Sequence, residues 1–344
     1  MTITINDTRT LTALAQKVIV ADSFFVDMLF PNQTFHNTKF IDVETIIESE
    51  AIAGFVAPCV RGEVVGDPGS RIDSFAPAYI KLEKDIVPCN YMERLPGEPY
   101  NSGLTPQRRM MLGLQRMQMD LEKRIKRRLE LMAAEALLYG TATIQGDSYP
   151  RRVVDFGRDP GNTIVNLPAD YWAAGTSEPL AQIATGSQVI LDAIGVGPGM
   201  LVMDTTSYTE LSEHQNFVDM LDVRRGITEV PNISPMIAAK RMFRGFLGEI
   251  AVWTYGGTYV DPTDGLTKRY LPEHRALLIA EGDNGLMGEQ AYGVIQDVKV
   301  MEAMARFSKM WDDEGSGTRK LVTQTAPLLI PKRPNAVVTI HTGL

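Results

Sequence analysis

Residues 105–139, TPQRRMMLGLQRMQMDLEKRIKRRLELMAAEALLY, decide how the rest of the chain is read. Thr105 is placed to cap a first turn, and Pro106 suits the first helical position, where an N–H has no intrahelical partner. Gly140 is free to adopt the left-handed conformation that ends helices. Between these marks Leu114, Met117, Leu121, Ile125, Leu129, Met132 and Ala136 follow at steps of 3, 4, 4, 4, 3 and 4, which is 22 residues in six steps, or about 3.67 apiece. That period predicts one straight helix about 50 Å long. Its apolar stripe should lie on a sheet, because a supercoiled pair needs a repeat of about 3.5. Strands at 151–156 and 336–340 are the expected support.

The chain has 344 residues, 44% hydrophobic and 22% charged, a globular composition with room for a sizeable core and two or three domains. A net charge of -8 argues against the whole molecule being a cation for nucleic acid. The charge is uneven. The helical segment holds eight Lys and Arg against four Asp and Glu, and the remainder 26 against 38. A solvated face with paired charges at helical spacing accounts for this excess; a surface turned toward nucleic acid or an acidic partner is the sharper alternative. Cys59 and Cys89 fall in neither a C-x-x-C nor a zinc spacing and are expected to be reduced and inert. No apolar run approaches the roughly 18 to 20 residues of a membrane helix, and the opening MTITINDTRT lacks a signal pattern. The expectation is a protein made in the cytosol, with no membrane partner.

Phe24, Phe25, Leu29 and Phe30 crowd together with little polar relief. They belong either to the core of their own chain or to an arm docked on a neighbour. Residues 41–95 read as extended. Two runs flank the turn chemistry of Gly66, Asp67, Pro68, Gly69 and Ser70, and on the return limb Ile80, Leu82 and Lys84 alternate with Lys81, Glu83 and Asp85. The expected hairpin is long and charged, with Arg61, Glu63, Asp67, Arg71 and Asp73 along it and few apolar side chains to hold it on a core. It either projects to a partner on another subunit or forms a mobile surface loop. Residues 95–103 read as a Pro- and Gly-rich connector. Beyond the long helix, 151–156 reads as a strand, 157–162 as a turn and 180–194 as a helix closed by glycines. A buried strand at 200–203, a helix at 207–221 and strands at 250–255 and 277–280 follow. Segments 301–311 and 320–329 bracket a polar turn as a second hairpin, and 336–340 is the final strand. Helices and strands without regular alternation indicate an α+β fold.

The chemical motifs are missing. Gly195, Gly197 and Gly199 follow a helix and precede a strand, the reverse of a dinucleotide loop. Neither G-x-x-x-x-G-K-[ST] nor G-x-S-x-G occurs. His36, His214, His274 and His341 are scattered, and the acids Asp312, Asp313 and Glu314 read as a solvated turn. The residues therefore point to a structural or assembly role, with no catalytic residue, metal or cofactor. An enzyme with a site assembled across the fold is the alternative of a different class.

A set of short motifs carries a resemblance. Gly62-Glu63-Val64, the glycine turn at 66–69 and Phe75-Ala76-Pro77-Ala78-Tyr79 are followed by Arg94-Leu95-Pro96 and Asp222-Val223-Arg224-Arg225-Gly226. Ile295-Gln296-Asp297 and Gln324-Thr325-Ala326-Pro327-Leu328 come near the end. From about residue 20 onward the chain resembles the lambda-type capsid protein E family of tailed bacteriophages, whose members share the fold named for phage HK97. The resemblance implies an N-terminal arm at 1–45, an extended E-loop hairpin at 46–95 and a peripheral domain at 96–179 with the spine helix at 105–139. It implies an axial domain at 180–325 and a return to the peripheral domain at 326–344. It implies a non-enzymatic major capsid protein that assembles with itself into pentamers and hexamers, forming an icosahedral shell around double-stranded DNA without sequence-specific binding. The expected partners are a separate scaffolding protein, because no long scaffolding segment precedes the match, together with a portal and a decoration protein. Arg61, Glu63, Asp67, Arg71, Asp73, Arg224 and Arg225 become candidates for inter-subunit contact, and Arg124, Arg127 and Arg128 for the interior-facing side of the spine helix. An encapsulin-like compartment shell, which shares the fold, is the alternative within this class.

Overall fold

A helix is held by what its ends and its stripe can bond to, and the spine helix has both ends secured. The structure, a computed structural model, describes residues 23–38, 40–47, 69–93, 103–146, 149–174, 176–222, 240–280, 287–315 and 317–343. In chain order, α1 (Phe24–Leu29) and β1 (Asn32–Phe35) lead to β2 (Ile41–Ile47), β3 (Gly69–Phe75), β4 (Ile80–Ile86) and the spine helix α2 (Pro106–Tyr139). Next come β5 (Thr141–Gly146), β6 (Tyr149–Asp155), β7 (Thr163–Val165), α3 (Pro179–Ile194), β8 (Met200–Met203), α4 (Thr205–Ser212), α5 (Gln215–Met220) and β9 (Leu221–Asp222). The chain continues through β10 (Arg241–Leu247), β11 (Ile250–Tyr255), β12 (Thr258–Val260), β13 (Thr267–Arg269) and β14 (Arg275–Ile279). It ends with β15 (Gly288–Tyr292), β16 (Phe307–Asp313), β17 (Thr318–Thr325), β18 (Pro327–Pro331) and β19 (Val337–His341).

At the start of α2 the Thr105 hydroxyl accepts from the Arg108 amide at 3.3 Å, and Gly140 ends the helix at a φ of 66°. The last carbonyls of any helix lack intrahelical partners. Here the buried Arg158 guanidinium takes two of them, donating to Leu137 O at 2.8 Å and Leu138 O at 3.0 Å. Its other nitrogen donates to Asn162 O at 2.7 Å and Thr339 Oγ1 at 2.9 Å. Burial lowers this guanidinium to about 10, which leaves it charged at neutral pH beside the negative end of the helix. A Cβ at residue 140 would lie 2.5 Å from Arg158 Cβ, so both conformation and space require glycine there.

The predicted stripe is buried at Leu114, Leu121, Ile125, Leu129, Met132 and Ala136, with Met117 half-buried. Its support differs from the expectation. The first half lies on β4 and β17, where Ile86, Tyr91, Leu114, Leu121 and Leu321 form a small cluster of their own. The second half enters the main core among α1, β5 and β18; there Ala133, Ala134, Leu137 and Leu138 are buried as well, so the last turns have almost no solvent face. The strand at 149–155 pairs with β5 instead, and β19 reaches only the final turn, through Thr339 Oγ1 donating to Leu138 O at 2.9 Å. The stripe is right because it follows from spacing. Its partners depend on contacts that local spacing does not encode.

Sheets of mixed direction confirm the α+β class. The largest has the order β7-β19-β14-β8-β11-β10-β9, with β8 parallel to β11, β19 parallel to β7 and the other pairs antiparallel. A second is the antiparallel β16-β17-β4, and a third is β1-β15-β18. The second expected hairpin is present as β16 and β17, but it starts at Phe307 and stops at Thr325, after which Ala326 and Pro327 carry the chain into the third sheet. The helix expected at 207–221 is two helices, separated at Glu213 and His214. The first hairpin is rearranged. β3 pairs with β2, from Ile41 with Phe75 to Ile47 with Gly69, while β4 pairs with β17. Gly69 and Ser70 thus sit within a ladder, and the rest of the expected turn, Gly66, Asp67 and Pro68, lies outside the described residues. Alternation on β4 holds as predicted, with Ile80, Leu82 and Lys84 more buried than Lys81, Glu83 and Asp85.

Phe24, Phe25, Leu29 and Phe30 are all buried in their own chain. The device that holds them is Glu130. Ser23 precedes α1 but its hydroxyl makes no cap; it donates instead to Asp27 Oδ2 at 2.7 Å. The fully buried Glu130 carboxyl does the capping, accepting from the Phe25 amide at 2.9 Å, the Val26 amide at 3.1 Å and the Tyr255 hydroxyl at 2.9 Å. Burial raises its pKa from 4.5 to about 7, against the lowering effect of the three donors. A folded pKa above the unfolded one means that the native state binds the proton more tightly. The resulting stabilisation is complete below about 4.5 and is lost as pH rises through about 7. We predict that Glu130→Gln removes a contribution of about 3 kcal/mol to the difference in urea stability between pH 5 and pH 8. Parallel pH profiles for wild type and variant would contradict it.

Candidate assembly surface

Seven residues of ladder at about 3.3 Å each make the β2–β3 ribbon about 20 Å long. Its root is in the core: Ile41 is fully buried, Phe75 packs edge-on against Phe156, and Ser74 Oγ donates to Asp42 Oδ1 at 2.5 Å. In the ladder Arg71 is paired with Thr45 and Asp73 with Val43. Arg61, Glu63, Asp67, Arg224 and Arg225 lie outside the described residues.

The exposed side of α2 carries Arg108, Arg116, Lys123, Arg124 and Arg127, with the half-buried Arg109 and Asp120 among them. Asp120 accepts from Lys84 Nζ at 2.5 Å and Arg124 Nε at 3.2 Å. The Lys84 bond is the main reason its carboxyl stays below the ordinary range. Arg124 and Arg127 are exposed, whereas Arg128 is half-buried with its charge near Glu135. Lys84 belongs to β4, so this basic face is continuous with the sheet under the helix. Farther in, Arg306 Nε donates to Glu122 Oε2 at 3.1 Å in a buried ion pair. It lines a cleft of about 550 Å³ with Asp27 and Lys126.

Three of the short motifs meet at one polar knot that spacing alone did not reveal. Tyr79 donates to Gln324 Oε1, Gln324 Nε2 donates to Asp297 Oδ2 at 3.0 Å, and Lys309 Nζ donates to the same oxygen. The other oxygen of Asp297 accepts from the Lys299 amide at 3.1 Å. Burial pushes the Asp297 carboxyl up, but Lys309 and the other donors outweigh it and keep the group ionised. Backbone bonds reinforce the knot, from Ala78 N to Pro327 O at 3.2 Å and from Gly293 N to Ala326 O at 2.8 Å. A Cβ on Gly293 would lie 2.5 Å from Pro77 Cγ, so the motif's proline sits directly on that glycine. The available signal was Gln324, a polar residue inside the apolar run 321–330. Its partner Tyr79 is 245 residues away.

Among the described residues no group of three or more His, Cys, Asp or Glu could hold a metal ion, and no helix is long and apolar enough to cross a membrane. A rooted ribbon, a long spine helix and a mixed central sheet define a phage capsid protein of the fold named for HK97. Solved structures share it: a prophage capsid protein of Escherichia coli CFT073 superposes with a TM-score of 0.73 at 21% identity, covering 97% of this chain and 98% of that one. The capsid of Ralstonia phage GP4 gives 0.53 at 10% identity, covering 94% and 91%. The chain belongs to the phage major capsid protein E family, which it matches over residues 7–342. Relatives include the major capsid protein of Enterobacteria phage P21, 27% identical over 344 residues and covering 97% of this chain and 98% of its own length. That of Escherichia phage lambda is 28% identical over 330 residues, covering 93% and 94%.

Gln324→Leu should lower stability by about 2–3 kcal/mol, because it leaves the Tyr79 hydroxyl and one lone pair of Asp297 without their partner. Chemical denaturation showing a loss under about 0.5 kcal/mol would mean that the knot is decorative.

Proposed function

We propose that this chain is the major head protein of a tailed double-stranded DNA phage or prophage. It assembles into pentamers and hexamers that close an icosahedral shell around the genome. The observation that carries this reading is similarity from end to end, since the P21 major capsid protein is matched over 97% of this chain and 98% of its own length. Residues 1–45 then act as the arm, 46–95 as the extended loop, 96–179 and 326–344 as the peripheral domain, and 180–325 as the axial domain. The β2–β3 ribbon supports the second assignment, because it is anchored at Ile41 and Phe75 and runs away from that root.

In this reading Arg71 and Asp73, with Arg61, Glu63, Asp67, Arg224 and Arg225, contact neighbouring subunits. Arg124, Arg127 and Arg128 face the interior. A net charge of -8 suits a wall that encloses DNA without gripping it, since non-specific affinity grows with each neutralised phosphate. A separate scaffolding protein, a portal and a decoration protein complete the particle, which is assembled in the host bacterial cytoplasm. The role is structural, with no enzymatic step.

Sedimentation and negative-stain microscopy of the expressed full chain should show capsomers or closed particles; a small oligomer at every concentration would overturn the reading. Arg124→Glu with Arg127→Glu should reduce shell yield while changing subunit stability by less than about 0.5 kcal/mol, because both side chains are exposed. A variant that assembles normally but melts early would show that the basic face only stabilises the helix.

A further inference from the structure

A short arm between β15 and β16 carries the two most exposed large apolar side chains among the described residues, Val298 at 95% and Met301 at 75%. Single exposed apolar residues are ordinary on surfaces. These two differ in being held rigidly. Val294 bridges Ala303, the Ile295 amide donates to Glu302 O at 3.2 Å, and Asp297 bridges Val300, whose amide donates back to Asp297 O at 3.0 Å. The Asp297 carboxylate holds the Lys299 amide and is itself fixed by Gln324 and Lys309, while Ala303 N donates to Asn37 Oδ1 at 2.9 Å. An apolar tip whose backbone is already ordered loses little entropy on docking.

A complementary surface exists elsewhere on the chain. Between α3 and the strands β10 and β11 lies a cleft of about 370 Å³, lined by Ile183, Leu191, Pro198, Met220, Leu247 and Ile250. Leu191 and Met220 remain 42% and 58% exposed at its rim. Beside Leu191 stands the exposed Asp192, positioned by Gln188 Nε2 at 2.6 Å. The tip presents the sequence Val298-Lys299-Val300-Met301, an exposed cation between its two apolar side chains. The other cleft, with Asp27, Glu122, Lys126 and Arg306, would have to bury charges against that tip, which is costly.

We propose that the Val298 and Met301 tip of one copy docks in the α3 cleft of a second copy, with Lys299 meeting Asp192. The inference rests on the reading of the chain as a self-assembling shell subunit. Tip and cleft are different surfaces, carried by different sheets, so the contact is head-to-tail and generates a ring where the rotation closes. The tip is an apolar anchor, the class of residue that dominates interface energetics.

The test compares wild type with Val298→Asp/Met301→Asp and, separately, Leu191→Asp, following assembly by sedimentation and electron microscopy and folding by urea denaturation. Both variants should keep the wild-type unfolding midpoint and need at least about tenfold more protein to assemble. The tip variant guards the test against misfolding, since its side chains are almost wholly in solvent. With Cys59 and Cys89 replaced by Ser, Val298→Cys paired with Leu191→Cys should give ladders of disulfide-linked chains on oxidation of assembled particles. Unimpaired variants beside wild-type shells, an absence of linked chains, or capture of a different head protein would each overturn this contact alone. Wild type that never assembles would overturn the shell reading as well.

Discussion

One buried carboxylate holds three parts of this molecule in register. Glu130 projects from the spine helix into a site with no solvent, where it accepts from two amides at the start of α1 and from Tyr255 on β11. A lone carboxylate there would carry a penalty of several kcal/mol. Three donors reduce that penalty but do not cancel it, and burial still leaves the pKa raised, at about 7. Removing the group would leave the Phe25 and Val26 amides without their acceptor and take one from the Tyr255 hydroxyl. The interaction is therefore easier to keep than to replace, and it determines where α1 leaves the body of the protein and where the central sheet meets the helix.

The C-terminal end of the same helix, close by, is closed by opposite chemistry. Arg158 brings a buried positive charge to the helix carbonyls, at the end where the peptide dipoles favour a cation. Both anchors lie in the second half of the helix, which is buried on nearly all sides, while the first half ahead of them is open, basic and amphipathic. An assembling subunit needs this division. Its body must stay rigid while its projecting parts meet neighbours, and here the ribbon and the 294–303 arm are each rooted by specific bonds at the base.

Local chemistry made the spine helix legible to the residue: cap, first-turn proline, stripe and terminal glycine all lie within a few positions of the structure they specify. The alternation on β4, the buried strand at 200–203 and the helix closed by Gly195 were readable for the same reason. Pairing was not. The ladder of β4 with β17 joins residues more than 200 positions apart, and the turn chemistry at 66–70 suggested a different partner. Family likeness supplied the fold and the motifs, but the meeting of Tyr79, Asp297 and Gln324 in one knot appears only in three dimensions. Glu130 and Arg158 could not have been singled out either. Glu130 looks in sequence like one more charge on a helix, and Arg158 like one more charge in a turn.

The account joins a rigid interior to a self-assembling exterior, and both halves can be seen in a single experiment. Cryo-electron microscopy of particles formed by the full chain should trace an unbroken helix from Pro106 to Tyr139, with Glu130 on the Phe25 and Val26 amides, repeated in rings that close into a shell. Particles in which α1 has left Glu130, or a chain that forms no closed rings, would contradict it.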